Sequence, residues 1–201
     1  MTFHTQISKN HGMTLVELMF TLTLMAILMT LAVPSFNGAI ASSRLTSSTN
    51  ELYTAMAQAK SEAVRLGTRV TVCASSNGTQ CSNDGTAWNA GWITFVDSTR
   101  TGTVSVDAGE AIIAIGQAMP DNISISGNSS FLSFSADARS RDMGGGFLAS
   151  TFRVCSTSSS LADNVRHRRI RTIISGRLNV QTPKELPTAE QSVAAFCPAQ
   201  T

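Results

Sequence analysis

The first long pattern in the chain is an apolar segment near its N-terminus. Residues 13–33 contain a single charged side chain, that of Glu17. A helix of this length spans the roughly 30 Å hydrocarbon core of a membrane, so the pattern predicts a transmembrane helix. The preceding residues are polar and include Lys9, whereas no Lys or Arg follows the segment until Arg44. This asymmetry places the N-terminus in the cytoplasm and the remaining chain across the membrane.

A second helical pattern follows Pro34, with one apolar stripe instead of an apolar surface all round. Pro34 removes one helical hydrogen bond and disfavours helix at the preceding residue, so we expect a bend or a short melted stretch there. Gly67 is the expected C-cap. A continuous helix over 13–66 would be about 80 Å long, more than a small domain can bury. The stripe consists of Leu45, Leu52, Met56, Ala59, Ala63 and Leu66.

From residue 69 onward, short β-patterns alternate with turns rich in Gly, Asn, Asp and Ser. The segments 123–126 and 131–135 alternate apolar and polar residues, which is typical of half-buried antiparallel strands. We therefore predict an α+β fold, with the long N-terminal helix packed on a mainly antiparallel sheet. The predicted strands are 69–73, 92–97, 111–115, 123–126, 131–135, 151–155, 168–175 and 178–181.

Composition adds a charge asymmetry to this picture. The 201 residues are 42% hydrophobic and 14% charged, which fits one globular domain and excludes a long disordered chain. The net charge is only +2, yet residues 51–138 hold four basic and eight acidic side chains, and residues 139–184 hold nine basic and two acidic. One face could therefore attract a polyanion.

The apolar segment carries a specific motif at its start. Glu17 lies inside a span where a carboxylate costs roughly 2.5–3.5 kcal/mol, so it either lies near the wet interface or has a partner. The sequence Gly12-Met13-Thr14-Leu15-Val16-Glu17, followed by an apolar run, resembles the prepilin cleavage and methylation motif. The family more often has Phe where this chain has Met13.

That resemblance implies a processing and assembly route. A prepilin peptidase would cut after Gly12 and methylate the new amine of Met13. Glu17 would then neutralise the amine of a neighbouring subunit when the helices pack into a filament, which agrees with the need of a buried carboxylate for a positive partner. Pro34 resembles the proline that kinks the long pilin helix.

The mature chain also resembles a narrower family, the GspH/FimT group of type IV minor pilins and type II secretion pseudopilins. The resemblance rests on the order and spacing of several short motifs. They are Val72-Cys73-Ala74-Ser75, Cys81, Gly91-Trp92-Ile93-Thr94-Phe95-Val96-Asp97, Phe152-Arg153-Val154-Cys155 and Ser175-Gly176-Arg177. It implies a pilin-like fold and a non-enzymatic subunit with one inner-membrane span, a periplasmic C-terminal domain, and later a place in a pilus or pseudopilus filament.

These patterns divide the chain into five segments. We expect a leader peptide at 1–12, a transmembrane and assembly helix at 13–33, and the amphipathic half of the helix at 34–67. A periplasmic β-rich domain follows at 68–182, with a C-terminal tail at 183–201.

The four cysteines fit an oxidising periplasm. Three disulfide pairings are possible. We favour Cys73–Cys81, which closes a local loop, and Cys155–Cys197, which holds the tail, with expected stabilisations of roughly 2.5 and 4 kcal/mol. A zinc site is a poor alternative because the chain has no CxxC pair.

The most basic stretch of the chain is residues 166–177. It contains Arg166, Arg168, Arg169, Arg171 and Arg177 together with His167. Guanidinium groups make bidentate contacts with phosphates, so such a strand could bind double-stranded DNA. A solvated basic strand, with arginine stems covering apolar surface, is the alternative. Gly176-Arg177 resembles the start of the Gly-Arg-x-Arg motif of FimT, a DNA-binding pilin of natural transformation, but the second Arg is replaced by Asn179.

Catalysis finds little support in these residues. His4 and His11 lie in the expected leader, which leaves His167 alone, so no Ser-His-Asp triad or histidine-based metal cluster can be assembled. We expect a subunit without enzyme activity, cofactor or metal. Its expected partners are prepilin peptidase, other pilin or pseudopilin subunits, the inner membrane and double-stranded DNA. A purely structural type II secretion pseudopilin, or a minor pilin that primes assembly, is the alternative function.

Overall fold

The computed structural model describes residues 12–82, 87–99, 102–188 and 197, with the side chains of 31–35 and 87 excepted. The chain divides into two units, Met1–Ala39 and Ile40–Thr201. Most of the predicted leader, residues 1–11, lies outside the described residues.

In the first unit the chain enters the long helix α1, Leu15–Leu66. The large apolar side chains described between residues 13 and 29 are all exposed. The helix continues through Pro34, so the melted stretch that was one of the two expectations is not present there. A proline removes only one backbone donor from the helical hydrogen bonds. Among the described residues, no helix meets the length and apolarity needed to cross a membrane.

Among its described residues, the second unit contains the rest of α1 and nine strands in two antiparallel sheets. Sheet A has the order β3-β2-β1-β5-β6, and sheet B has the order β4-β7-β8-β9. The strands are β1 Val70–Ala74, β2 Trp92–Val96, β3 Ile112–Gly116, β4 Ile123–Gly127, β5 Phe131–Phe134, β6 Ser140–Arg141, β7 Ser150–Ser156, β8 His167–Thr172 and β9 Leu178–Gln181. Short 3₁₀ helices occupy Ala87–Ala90 and Pro183–Glu185.

The predicted α+β architecture is therefore confirmed, with two sheets where the sequence pattern indicated one. Alternation along a strand reports which side chains are buried but carries no information about which strands are neighbours. The predicted strand 168–175 ends earlier, at Thr172, because residues 173–176 form a turn in which the Gly176 amide donates to the Ile173 carbonyl at 2.8 Å.

The main core lies between α1 and the inner faces of both sheets. The apolar stripe of the helix is buried except at its last member, Leu66, which is 40% exposed beside the C-cap Gly67. Trp88 and Phe152 meet edge to face, with ring centroids 4.9 Å apart. The other face of sheet A carries a second apolar cluster around Cys73, Ile93 and Phe95.

Both favoured disulfides, Cys73–Cys81 and Cys155–Cys197, are present in the structure. Cys155 and Cys197 form a third apolar cluster with Leu186, which is buried. The start of the tail is thus packed through Leu186 and Pro183.

Candidate functional sites

The processing residues lie at the very start of α1. Gly12 and Met13 precede the helix and have no helical hydrogen bonds. The Glu17 amide donates to the Thr14 hydroxyl oxygen at 3.3 Å, so Thr14 caps the first turn. A carboxylate at Glu17 also lies in the first turn, where the helix dipole favours negative charge. The peptide bond after Gly12 is therefore outside regular structure, immediately before a capped helix.

The basic stretch divides between two faces of β8. Ile170 and Thr172 are fully buried toward the core, and Arg168 shares their face because side chains alternate along a strand. Arg169 and Arg171 lie on the opposite face, with Arg171 exposed. The arginines that are adjacent in sequence are therefore not presented as one surface.

Arg166 and Arg168 are engaged within the fold. Arg166 forms an ion pair with Asp163 and donates to the Ser158 carbonyl at 3.3 Å. Arg168 donates from Nη1 to the carbonyls of Val165 and His167, both at 2.8 Å. Burial lowers the pKa of the Arg168 guanidinium from its ordinary value. These two side chains are positioned to stabilise the loop that precedes β8.

Arg169 belongs to a polar row across the outer face of sheet B. Its Nε donates to the Gln181 side-chain oxygen at 2.9 Å, and it lies opposite Arg153 of β7 and Gln181 of β9 in register. Like charges opposite one another on neighbouring strands repel, so this row favours an anionic neighbour. The sequence pattern placed Arg153 in a family motif but did not single it out as a candidate binding residue. Its position in the alternation of strand 151–155 was the available signal.

Arg171 and Arg177 are the members of the basic stretch that remain available. Both are exposed, and neither forms a hydrogen bond or ion pair through its side chain within the described part of the chain. Arg171 lies opposite Asn179 on β9. Arg177 follows the turn, where its carbonyl accepts from the Ile173 amide at 3.2 Å.

The turn that carries Arg177 is held against its neighbours by Gly176. Gly176 has a φ of +70°, and a Cβ at this position would lie 1.9 Å from the Ala138 carbonyl oxygen. Lys60 of α1 donates to the Gly176 carbonyl at 2.9 Å. Close packing against residue 138 and the helix therefore fixes where Arg177 projects.

Further cations lie on the turn that packs against Gly176. Arg139 and Arg141 both pair with Asp137, and their guanidinium carbons lie 5.7 and 4.4 Å from the centre of the exposed Phe147 ring. Sequence reasoning missed this group because residues 139–147 and 176 are brought together only by the fold. Its positive charge is partly neutralised by Asp137.

The disulfide Cys155–Cys197 attaches the tail next to β8. Cys155 is opposite His167, which is fully buried, so the outer face of sheet B is covered at this end and exposed at the end that carries Arg171. Within the described residues, no group of three or more His, Cys, Asp or Glu side chains could hold a metal ion.

Comparisons with known proteins agree with this architecture. The model of the family described as type II transport protein GspH matches residues 48–176, and that of the prokaryotic N-terminal methylation motif matches residues 7–33. A crystal structure of the type IV minor pilin FimU from Pseudomonas aeruginosa superposes with a TM-score of 0.52 at 18% identity, over 72% of this chain and 92% of that chain.

A second crystal form of FimU gives a TM-score of 0.50 at 17% identity, over 71% of this chain and 97% of that chain. At these identities the likeness concerns the fold. No curated protein sequence matches this chain.

Proposed function

Because this chain belongs to the GspH family and carries the N-terminal methylation motif, we propose that it is a minor pilin or pseudopilin made as a precursor. The family is one of structural subunits, and the proposed role is assembly without catalysis. The observation that supports it best is the cleavage and methylation motif placed directly before a 52-residue helix.

In this proposal prepilin peptidase cuts after Gly12 and methylates the amine of Met13. Residues 13–33 anchor the precursor in the inner membrane, with the C-terminal domain in the periplasm, and later pack among the helices of a filament. Glu17 lies four residues after Met13 and can meet the amine of an adjacent subunit. That pairing would offset the cost of placing a carboxylate among apolar helices.

Two substitutions test this route in cells that express the cognate filament system. Gly12→Val should leave the leader attached, which mass spectrometry of the N-terminal peptide detects. Glu17→Gln should be cut and methylated normally but enter sheared filaments poorly, because it removes only the charge. Asp121→Asn, at an exposed carboxylate outside the motif, is the matched control. Normal processing of Gly12→Val, or full incorporation of Glu17→Gln, would contradict the proposal.

A second candidate function is binding of double-stranded DNA for natural transformation. It is supported by the exposure of Arg171 and Arg177, with Arg169 and Arg153 on the same sheet. Arg166 and Arg168 contribute less in this proposal, since both are engaged within the fold. Contacts through guanidinium groups to phosphates would be largely independent of base sequence and sensitive to salt.

This candidate is tested with residues 40–201, one compact unit. We expect the fragment to bind a short duplex at low salt and to lose affinity as salt rises. Arg171→Gln with Arg177→Gln should reduce the slope of log affinity against log salt by about two. Arg44→Gln, an exposed arginine on α1, is the matched control. If the wild-type fragment stays unbound at low salt, the subunit is purely structural and acts as a type II secretion pseudopilin or as a primer of pilus assembly.

A further inference from the structure

A continuous groove runs between α1 and the edge of sheet A. Two cavities of about 460 and 530 Å³ lie beside the helix, and they share Thr54, Gln58 and Ala114 as lining residues. One wall is the helix between residues 47 and 62, and the other is β3. We call this feature the α1–β3 groove.

The strand wall of the groove is suited to bind another strand. β3 is an edge strand of sheet A, so one side of its backbone faces no partner in the sheet. Ile113 is 41% exposed and Ile115 is 55% exposed on this short strand. Edge strands with exposed apolar side chains are sites where an extended segment can be added.

The helix wall supplies a negative charge. Glu51 is exposed in the groove and forms no hydrogen bond or ion pair through its side chain within the described part of the chain. Glu62, at the other end, is engaged with Arg65 at 2.5 Å, and that hydrogen bond lowers the pKa of the Glu62 carboxyl. The groove therefore offers apolar contacts and one available carboxylate.

The β8–β9 hairpin of the same chain has the complementary features. Its turn exposes Ile173 and Ile174, by 38% and 51%. Arg171 and Arg177 flank these residues and are exposed cations without ion pairs among the described residues. β9 is the edge strand of sheet B, so it also has one unpaired side.

We propose that the β8–β9 hairpin of one copy docks in the α1–β3 groove of a second copy. Ile173 and Ile174 then cover Ile113 and Ile115, and Arg177 pairs with Glu51. The two surfaces differ, so the contact is heterologous and can repeat from copy to copy, as a filament requires. The proposed contact rests on the proposed filament role only for its biological setting, because both surfaces belong to unit 40–201.

A charge exchange in fragment 40–201 tests this contact by sedimentation velocity. The wild-type fragment should self-associate with increasing concentration, and added salt should weaken it. Glu51→Arg and Arg177→Glu should each weaken association by about tenfold or more, since each places like charges together. The double variant Glu51→Arg/Arg177→Glu should recover association. Asp121→Arg, a charge reversal at an exposed carboxylate elsewhere, should leave association unchanged.

The apolar half of the contact has its own variant. Ile174→Asp should abolish association, whereas Val165→Asp, at a valine that is 40% exposed outside the turn, should not. Circular dichroism of every variant checks that the fold is retained. A wild-type fragment that stays monomeric to about 1 mM, or a double variant that is no better than the single ones, would overturn the proposal.

The same variants separate this contact from DNA binding. Glu51→Arg should leave duplex binding intact, and the double variant should stay defective in duplex binding while it regains self-association. A fragment that self-associates as expected but does not bind duplex contradicts only the DNA-binding proposal. A fragment that binds duplex but does not self-associate contradicts only the hairpin contact.

Discussion

Arginine has different roles at neighbouring positions of this protein because the strand alternates. Arg168 is half-buried and donates to two carbonyls, whereas Arg171, three residues later, is exposed. Arg69 is buried and pairs with Asp97 at 2.6 Å, and Thr71 donates to the same carboxylate at 2.8 Å. All these guanidinium groups can donate hydrogen bonds and form ion pairs. Burial decides whether an arginine makes these contacts within the protein or remains available to a partner.

Gly176 should tolerate no side chain. Gly176→Ala combines a left-handed φ with a Cβ that would lie 1.9 Å from the Ala138 carbonyl oxygen. We expect a loss of roughly 2 kcal/mol or more in the free energy of unfolding, measured by urea denaturation. Gly102→Ala, where a Cβ would meet nothing within 4 Å, is the control. Equal stability of both variants would contradict this account of the turn.

Asp137 should make the stability dependent on pH under acidic conditions. The hydrogen bond from the Ser135 hydroxyl is the main cause that lowers the pKa of Asp137 from 3.8 to about 2. Burial opposes this change, and the Arg139 amide and the Arg141 guanidinium lower the pKa further. A lowered folded-state pKa stabilises the fold above the unfolded-state value, and this contribution is lost as pH falls toward the folded-state pKa.

We therefore expect the wild-type protein to lose stability more steeply than Asp137→Asn between about pH 4 and about pH 2. Thermal unfolding followed by circular dichroism across this range measures the difference. Asp121→Asn removes an exposed carboxylate without a side-chain hydrogen bond or ion pair among the described residues, so its pH profile should follow the wild type. Parallel pH profiles for Asp137→Asn and the wild type would contradict the expected contribution of the Asp137 carboxylate to stability.

Two kinds of interaction stabilise the helix and the strands: burial of apolar side chains in the main core, and two disulfides. Leu45, Leu52 and Met56 are fully buried against both sheets, as the spacing of the stripe predicts. Cys155–Cys197 connects β7 to the tail across 42 residues, and Cys73–Cys81 closes a separation of only 8. Long loops lose more entropy on closure, so the two bridges should contribute unequally.

Removal of each bridge should reveal this difference. The pair Cys155→Ala with Cys197→Ala should lower the free energy of unfolding by about 4 kcal/mol, and Cys73→Ala with Cys81→Ala by about 2.5 kcal/mol. Each loss is increased by the burial lost at the buried cysteine of the pair, Cys155 or Cys73. Guanidinium denaturation without reductant measures both. A larger loss from the shorter bridge would show that packing, not chain entropy, dominates.

At the scale of the molecule, the unit Ile40–Thr201 contains both sheets and the buried stripe of α1. The described members of the main core cluster all belong to this unit. The same unit carries both the α1–β3 groove and the β8–β9 hairpin.

Residues 40–201 should therefore fold without the preceding unit. We expect a single cooperative transition when tryptophan fluorescence and far-ultraviolet circular dichroism are followed in urea, since Trp88 and Trp92 are buried in the main core. Leu52→Ala should lower its free energy of unfolding by about 2–5 kcal/mol, and Val64→Ala, at an exposed position, by far less. Two separate transitions would contradict one cooperative unit.

Much of this organisation was predictable from local sequence patterns. The stripe of α1, most strand positions and the short Cys73–Cys81 bridge depend on residue type at short spacing, which local physics determines. The cleavage motif was identified by its resemblance to the prepilin motif. The division into two sheets did not follow, because strand order depends on contacts between distant residues. The end of β8 at Thr172 was also missed, since residues 173–175 favour a strand until Gly176 is packed against residue 138.

The sequence by itself determined that the chain has an N-terminal methylation motif, a long helix, an antiparallel β-rich domain and a basic segment at 166–177. Only the tertiary structure decided which of those arginines are available. Alternation and loop contacts engage Arg166 and Arg168, while Arg171 and Arg177 remain exposed. Burial and register arise from residues far apart in the chain, so a count of charges along a segment cannot specify the surface that they form.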